Sequence, residues 1–172
     1  MLTVPAFSLR SLTPADADWV ALFIREQWGA EWVVAHGSVF FPQNLPGFVA
    51  FEGEAIVGVL TYHLVDESCE VVTLDSLRPT AGIGTALIEA VKAAARQTRC
   101  KRLWLITTND NLNALRFYQK RGFELVAVHR QALELSRHIK PQIPLVGEHG
   151  IPLRDEIELE MKLGQPDAGP AG

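Results

Sequence analysis

The sequence is poor in cysteine and has no long hydrophobic run. Only two cysteines occur in 172 residues, Cys69 and Cys100, and they form no CxxC pair. We therefore expect neither a zinc knuckle nor a disulfide framework, and both thiols are predicted to be reduced. No stretch of about 18 apolar residues occurs, so no transmembrane helix is expected. The first six residues lack the basic and apolar regions of a secretory signal, which predicts a cytoplasmic protein.

A large excess of charge of either sign is also missing. The chain has 16 Lys and Arg against 20 Asp and Glu, a formal net charge of −4. Binding of nucleic acid uses clustered Lys and Arg that face phosphates, so this mildly acidic composition argues against it. The five histidines show neither HxxxH nor HExxH spacing, and no metal site is expected.

Hydrophobic periodicity predicts one α+β domain over residues 1–163 and a disordered tail over 164–172. The first half has the pattern of antiparallel strands, with one early helix and a less regular stretch at 30–46 that we interpret as helix plus loop. The second half alternates helices and strands, which is typical of a parallel crossover. The predicted segments are strand 7–12, helix 13–28, strands 48–51, 55–65 and 69–74, helix 83–94, strand 103–106, helix 112–121, and closing strands 123–135 and 157–163.

Two glycines stand where the predicted helix over 83–94 begins. Gly82 and Gly84 follow a strand and a turn. Backbone N–H groups at such a helix start have no intrahelical acceptor and carry partial positive charge, and glycine lets an anion approach them. A phosphate ligand is therefore expected, although a tight turn without a ligand would account for the same two glycines. Leu87 stands where a dinucleotide fingerprint has glycine, and the lysine of a Walker A loop is missing, so both nucleotide motifs are disfavoured.

A second motif follows one predicted strand later. Its spacing is N-x-x-A-(x)3-Y-(x)3-G-F, formed by Asn111, Ala114, Tyr118, Gly122 and Phe123. Together with the G-x-G loop it resembles the GNAT acetyltransferase superfamily. The motifs match over about 69–123, and the order of elements matches over about 7–163. The resemblance implies a single-domain GNAT-like fold, with a mixed, mostly antiparallel central sheet flanked by helices and a βαβα segment that binds acetyl-CoA.

The resemblance also implies an N-acetyltransferase that moves the acetyl group of acetyl-CoA to a primary amine by direct attack on the thioester. In this scheme Tyr118 is the general acid for the leaving thiolate, and Glu70 is the base that removes a proton from the amine. Tyr118 could equally be a core tyrosine and Glu70 a solvated strand carboxylate. Asp75 is a second candidate for the base, or a residue that orders the turn. The implied cofactor residues are Leu74 (through its backbone N–H, at the thioester carbonyl), Arg78, Thr80, Ala81, Gly82, Ile83, Gly84, Thr85 and Asn111, which could also cap its helix.

The loop departs from the family at one position. The family usually has Arg or Gln three residues before the first loop glycine, where this chain has Pro79. Proline removes a backbone donor, and the adjacent Arg78 is the candidate substitute. A non-catalytic acetyl-CoA-binding module is therefore the alternative function. Two basic clusters flank the implied cleft and offer a partner for the cofactor's 3′-phosphate: Lys92, Arg96, Arg99, Lys101 and Arg102, and Arg116, Lys120 and Arg121.

The acceptor amine is not specified by any motif. Two irregular segments, Trp32–Phe41 and His138–Asp155, are predicted to form the walls of its site. Neither a nucleic acid nor a membrane is expected as a partner. The oligomeric state stays open, with a homodimer as one expectation.

Overall fold

A seven-stranded sheet forms the centre of the structure, a computed structural model that describes residues 6–164. The predicted tail lies outside the described residues except for Gly164. In chain order the elements are β1 (Ser8–Ser11), α1 (Ala17–Trp28), β2 (Val33–Ala35), β3 (Ser38–Phe40), β4 (Gly47–Glu52), β5 (Ala55–Val65), β6 (Ser68–Ser76), α2 (Ile83–Gln97), β7 (Arg102–Thr108), α3 (Leu112–Gln119), β8 (Glu124–His129), α4 (Ala132–Ile139) and β9 (Glu156–Lys162).

The large sheet has the strand order β1-β4-β5-β6-β7-β9-β8, while β2 and β3 form a separate hairpin. Strands β6 and β7 pair in parallel, and the other neighbours in the described chain pair antiparallel. This confirms the predicted mixed, mostly antiparallel sheet with a βαβα segment. Both predicted reduced thiols, Cys69 and Cys100, are buried and free.

The sheet is covered on both faces. Helix α2 and part of α3 pack on one face, which we call the cofactor face, around a core that includes Leu87, Val91 and Tyr118. Helix α1 and the β2–β3 hairpin pack on the other face, which we call the hairpin face, around Phe23 and Ile24. Because side chains alternate along a strand, neighbouring residues of β6 point to different faces.

The predicted start and stop of the first helix are confirmed. A 3₁₀ turn, Pro14–Asp16, leads into α1, and the carboxylate of Asp16 accepts a hydrogen bond from the backbone N–H of Thr13 at 2.7 Å. The Arg10 guanidinium binds the same carboxylate and holds its pKa well below the usual range. Gly29 ends the helix with φ +79°, a conformation that favours glycine.

The prediction of helix plus loop at 30–46 was wrong. The segment contains the β2–β3 hairpin, followed by a short 3₁₀ turn at Pro42–Asn44. The two turn residues, His36 and Gly37, both have positive φ (42° and 76°), as a two-residue hairpin with a type I′ turn requires. Three-residue strands are too short to show an alternating pattern, so hydrophobic periodicity could not predict them.

The first closing strand was predicted too long. It ends at His129, and residues 132–139 form α4 instead of continuing the strand to 135. Gln131 adopts φ +60° between the two elements, which turns the chain away from the sheet. The helix has only eight residues, and a segment of that length gives a weak helical period.

Helix α2 is held very close to the sheet at Gly58. A Cβ built on Gly58 would lie 2.6 Å from Cγ2 of Ile83 and 3.1 Å from the carbonyl oxygen of Asp75. Ile83 is the first residue of α2. The absence of a side chain at Gly58 therefore sets the height of the helix start above β5.

We expect Gly58→Ala to lower the free energy of unfolding by about 1–3 kcal/mol, because the added methyl group overpacks the contact between α2 and β5. Urea denaturation measures the change. Gly164→Ala is the control, since no atom lies within 4 Å of the Cβ position there. Equal stability of the two variants would contradict the close approach.

Candidate active site

Strands β6 and β7 separate before they end, and this opening is the central feature of the site. They pair over four residues each, from Ser68–Val71 against Arg102–Leu105. Strand β6 continues to Ser76, paired only with β5, and β7 continues to Thr108, paired only with β9. The facing edges of the two strands are therefore free of each other. We call this opening the fork, and Leu74 lies in it.

An extra residue in β6 contributes to the fork. Thr61 of β5 pairs with Thr73, but the next residue, Tyr62, pairs with Val71. Val72 is therefore a β-bulge, which bends a strand and increases its twist. The bulge falls directly after the last pair between β6 and β7, where the two strands part.

The glycine loop presents backbone N–H groups beside the fork. Gly82 is the N-cap of α2 with φ +79°, and Thr80 also has positive φ, 64°. The first residues of α2, Ile83 to Thr85, have no intrahelical acceptor for their N–H groups. No atom lies within 4 Å of a Cβ built on Gly82, so an anion can approach the helix start there.

A cavity of about 690 Å³ lies between this loop and α3. It holds four cationic side chains and no carboxylate among its described lining residues. The net positive charge and the free amides suit a phosphate-bearing ligand. The cations are Arg78, Arg116, Lys120 and Arg121.

Most of the predicted cofactor residues meet in this cavity. Ala81 and Asn111 are not among its lining residues. Asn111 caps α3, since its side-chain oxygen accepts the N–H of Ala114 at 3.0 Å, and its contact with the cofactor stays a prediction. The predicted residues that do line the cavity are Leu74, Arg78, Thr80, Gly82, Ile83, Gly84, Thr85 and Tyr118.

Arg78 is already engaged on the outer side of the loop. Its Nε lies 3.3 Å from Oε2 of Glu52, and both side chains are about half exposed. An exposed ion pair of this kind contributes little energy, so Arg78 can exchange Glu52 for a phosphate. Pro79 supplies no N–H at the position where the family usually has Arg or Gln.

Arg121 links the start of α2 to the end of α3. Its guanidinium donates to Oγ1 of Thr85 at 2.8 and 3.0 Å and lies 3.5 Å from the centre of the Phe117 ring. A Cβ on Gly84 would lie 2.9 Å from the same ring. The second loop glycine therefore permits close packing of α3, while the first faces open space.

Tyr118 lies on the wall of the cavity and is 8% exposed. Burial raises the pKa of its phenol, and the negative charge of Asp75 raises it further. The hydroxyl therefore stays protonated at neutral pH and is available as a donor. Its ring packs edge-on against Phe117 and Phe123, as the core interpretation of this residue requires, and the catalytic role stays a prediction.

Glu70 lies apart from Tyr118, on the hairpin face and in the paired part of β6. It lines a second cavity, of about 760 Å³, whereas Tyr118 lines the first. Glu70 is 4% exposed, and its Oε1 lies 2.8 Å from Nε2 of His36. This contact raises the pKa of His36. The carboxylate is therefore not the solvated strand residue considered from the sequence.

The second cavity has aromatic and apolar walls. Residues of the Trp32–Phe41 segment line it, whereas none of His138–Asp155 is among the described lining residues. The latter segment packs elsewhere: Asp110, for example, accepts the N–H of Glu148 at 2.8 Å. The apolar lining consists of Val39, Phe40, Phe41, Leu45, Val65 and Trp104.

Asp75 lies at the fork, one residue after Leu74. Nε1 of Trp28, the last residue of α1, donates to its Oδ2 at 3.0 Å. Burial raises the pKa of this carboxyl to about 6, although the Trp28 hydrogen bond lowers it in part. The sequence named Asp75 only as a second candidate, because neither the tryptophan contact nor the burial is visible in a linear pattern.

Several residues of the two cavities escaped sequence reasoning. Asn113 and Phe117 line the first cavity, and Trp104 lines the second. The sequence contained one signal for these residues: Phe117 directly precedes Tyr118 in the N-x-x-A-(x)3-Y-(x)3-G-F motif. No helix of residues 6–164 is long and apolar enough to cross a membrane. Within the same residues, no three His, Cys, Asp or Glu side chains cluster as metal ligands would.

Comparison with known proteins agrees with this geometry. Residues 15–123 match the model of the acetyltransferase (GNAT) family. The chain is 44% identical to the uncharacterized protein YdhI of Bacillus subtilis (strain 168) over 136 residues, which are 78% of this chain and 85% of YdhI.

Solved structures share the fold. An IAA acetyltransferase from Bacillus cereus ATCC 14579 superposes with a TM-score of 0.69 at 22% identity, over 91% of this chain and 99% of that one. A GNAT family acetyltransferase from Elizabethkingia anophelis, with acetyl-CoA bound, gives 0.65 at 22% identity, over 93% of this chain and 100% of that one. At such identities the likeness concerns the fold alone. The family match spans the fork, the glycine loop and the Tyr118 helix, and the chain belongs to the acetyltransferase (GNAT) family.

Proposed function

We propose that the protein transfers the acetyl group of acetyl-CoA to the nitrogen of a primary amine. The observation that carries this proposal is the fork, which opens into a cavity with free helix N–H groups, four cations and no carboxylate among its described lining residues. The Elizabethkingia anophelis relative in the fold has acetyl-CoA bound, which supports the same donor here.

The donor would be held mainly by its pyrophosphate. The N–H groups of Ile83 to Thr85 and the open space over Gly82 form the cradle, and Thr80 contributes a second left-handed turn to it. Ala81 stays a predicted contact, although its N–H points to the carbonyl of Arg78 at 3.4 Å. Arg116, Lys120 and Arg121 offer charge for a further phosphate.

Two groups at the fork serve the transfer itself. The backbone N–H of Leu74 is the proposed donor to the thioester oxygen, where negative charge develops as the amine attacks. Tyr118 is the proposed acid that protonates the departing sulfur. Burial keeps its hydroxyl protonated up to high pH, so the proton is present at every working pH.

The acceptor would approach from the hairpin face, opposite the donor. Alternation along β9 places Glu156, Glu158 and Glu160 on that face, together with Glu70 of β6. These carboxylates outnumber the paired Arg102, so the surface attracts an ammonium group. Glu70 stays the base predicted from the sequence. To act as a base it would have to take a proton while its carboxylate is hydrogen-bonded to His36.

A panel of amines tests the function. Purified protein, acetyl-CoA and each amine are mixed, free thiol is measured, and mass spectrometry identifies the acetylated product. Amine-dependent thiol release with a product 42 Da heavier, the mass that acetylation adds to a primary amine, supports the proposal. Binding of acetyl-CoA without turnover on any amine would instead support the non-catalytic acetyl-CoA-binding module.

We expect Gly82→Glu to abolish acetyl-CoA binding in calorimetric titration, because the new carboxylate occupies the space above the helix N–H groups. Gly53→Glu is the matched control. Gly53 also has positive φ, 61°, and open space at its Cβ position, but it lies in the turn between β4 and β5. Wild-type affinity in Gly82→Glu would reject the loop as the pyrophosphate site.

We expect Tyr118→Phe to lower kcat by about 10²-fold or more, the usual size of one acid–base contribution, with acetyl-CoA affinity unchanged. Tyr62→Phe is the control, because Tyr62 of β5 stacks on Phe48 of β4 and does not line the cofactor cavity. Equal turnover of Tyr118→Phe and wild type would remove Tyr118 from the mechanism.

A further inference from the structure

We propose that Asp75, rather than Glu70, is the base that takes the proton of the acceptor amine. This inference rests on the proposed acetyl transfer and assigns one of its steps. Asp75 lies at the open part of the fork, next to the residue whose N–H faces the thioester in our proposal. Its position, its contact with Trp28 and its distance from Glu70 carry the assignment.

The carboxyl of Asp75 points to the face from which the amine approaches. Trp28 belongs to α1, which packs on the hairpin face, and its indole N–H donates to Oδ2 of Asp75. Oδ1 has no protein partner in the described part of the chain, so it can meet a substrate proton. Leu74, one residue earlier, packs with the core of the cofactor face. The two neighbours therefore stand on opposite sides of the thioester position.

Asp75 and Tyr118 interact electrostatically across the fork. Tyr118 lies on α3, on the cofactor face, and the charge of Asp75 raises the pKa of its phenol. A base on one side of the opening and an acid on the other match the two proton transfers of the reaction. The ammonium group loses its first proton on the acceptor side, and the sulfur gains one on the donor side.

Glu70 is placed differently. It precedes Asp75 by five residues, roughly 15 Å along an extended strand, and it lies where β6 and β7 are still paired. Its Oε1 is bound by His36, and the backbone N–H of His36 is held by Glu156 at 3.1 Å. Glu70 therefore holds the tip of the β2–β3 hairpin on the sheet.

The environment of Asp75 suits a base that works near neutral pH. Its pKa of about 6, raised by burial, makes it a stronger base than an ordinary carboxylate and leaves it mostly ionised at pH 7. The charged and titratable groups on the elements around it include Tyr118 on α3 and Arg121 directly after that helix. They also include Arg25 (paired with Glu31), Asp18 and Glu26 on α1, Lys140 at the carbonyl of Trp28, Arg78 in the loop (paired with Glu52), His63 on β5, and Glu70 on its own strand.

The proton balance is as follows. The ammonium group gives one proton to Asp75, and the freed lone pair forms the bond from nitrogen to the acetyl carbon. The bond from that carbon to sulfur breaks, and Tyr118 gives its proton to the sulfur. The nitrogen then loses its second proton, which replaces the one that Tyr118 gave, and Asp75 releases its proton to solvent.

The deciding experiment compares Asp75→Asn with Glu70→Gln on an amine that the wild type acetylates. Asparagine keeps an oxygen for the Trp28 hydrogen bond but cannot take a proton. We expect kcat/KM of Asp75→Asn to fall at least 100-fold at pH 7, with acetyl-CoA affinity unchanged. Wild-type kcat/KM should rise with pH through about 6, and this inflection should vanish in Asp75→Asn and persist in Glu70→Gln.

Thermal stability separates a base from a residue that only orders the turn. Because burial raises the pKa of Asp75 from 3.8 to about 6, the folded state holds this proton more tightly than the unfolded state. Stability is therefore lost as pH rises through that window. We expect Asp75→Asn to have a higher Tm than wild type at pH 8 and a similar Tm at pH 4. A lower Tm at pH 8 would assign a structural role and overturn the proposal.

Other outcomes overturn the inference in distinguishable ways. If Asp75→Asn retains kcat/KM within threefold of wild type, Asp75 is not the base, while acetyl transfer itself stands. If Glu70→Gln loses both rate and inflection and Asp75→Asn keeps them, the base is Glu70. If the wild type acetylates no amine, the proposed function fails and the assignment falls with it.

Discussion

The separation of β6 from β7 is the constraint on which the rest of the site depends. Two parallel strands at the centre of a sheet normally pair along their whole length, since an unpaired backbone group costs free energy when it is buried. Here the pairing stops after Val71 and Leu105, next to a β-bulge at Val72. The free edges leave backbone groups of both strands available to a ligand.

The two faces of the sheet differ in charge. The cofactor face has a helix N-terminus and four cations, whereas carboxylates of β6 and β9 lie on the hairpin face. A net charge of −4 conceals this segregation. In the proposed reaction, this segregation would attract an anionic donor and a cationic acceptor to opposite sides of one sheet.

Burial at the fork has a cost in stability. Asp75 is held partly out of water, with its pKa raised to about 6 and one hydrogen bond from Trp28. Such a carboxyl destabilises the folded state at neutral pH relative to a solvated one. Gly58 is a second residue set by the packing near the fork, since the absence of its side chain lets α2 lie directly on β5. Groups that serve a site often reduce stability in this way.

Sequence alone was sufficient for the long periodic elements and for the donor loop. Helix α2, the strands β4 to β6, and the Gly82 to Tyr118 motif pair follow from local patterns, because periodicity, caps and glycine positions are local properties. The short hairpin at His36 and the eight-residue α4 were missed, since too few residues carry a period. The different surroundings of Asp75 and Glu70 were decided only by tertiary structure. The contact of Asp75 with Trp28 and the contact of Glu70 with His36 each join residues that are 34 or more positions apart. No local pattern encodes these contacts or the burial of the two carboxylates.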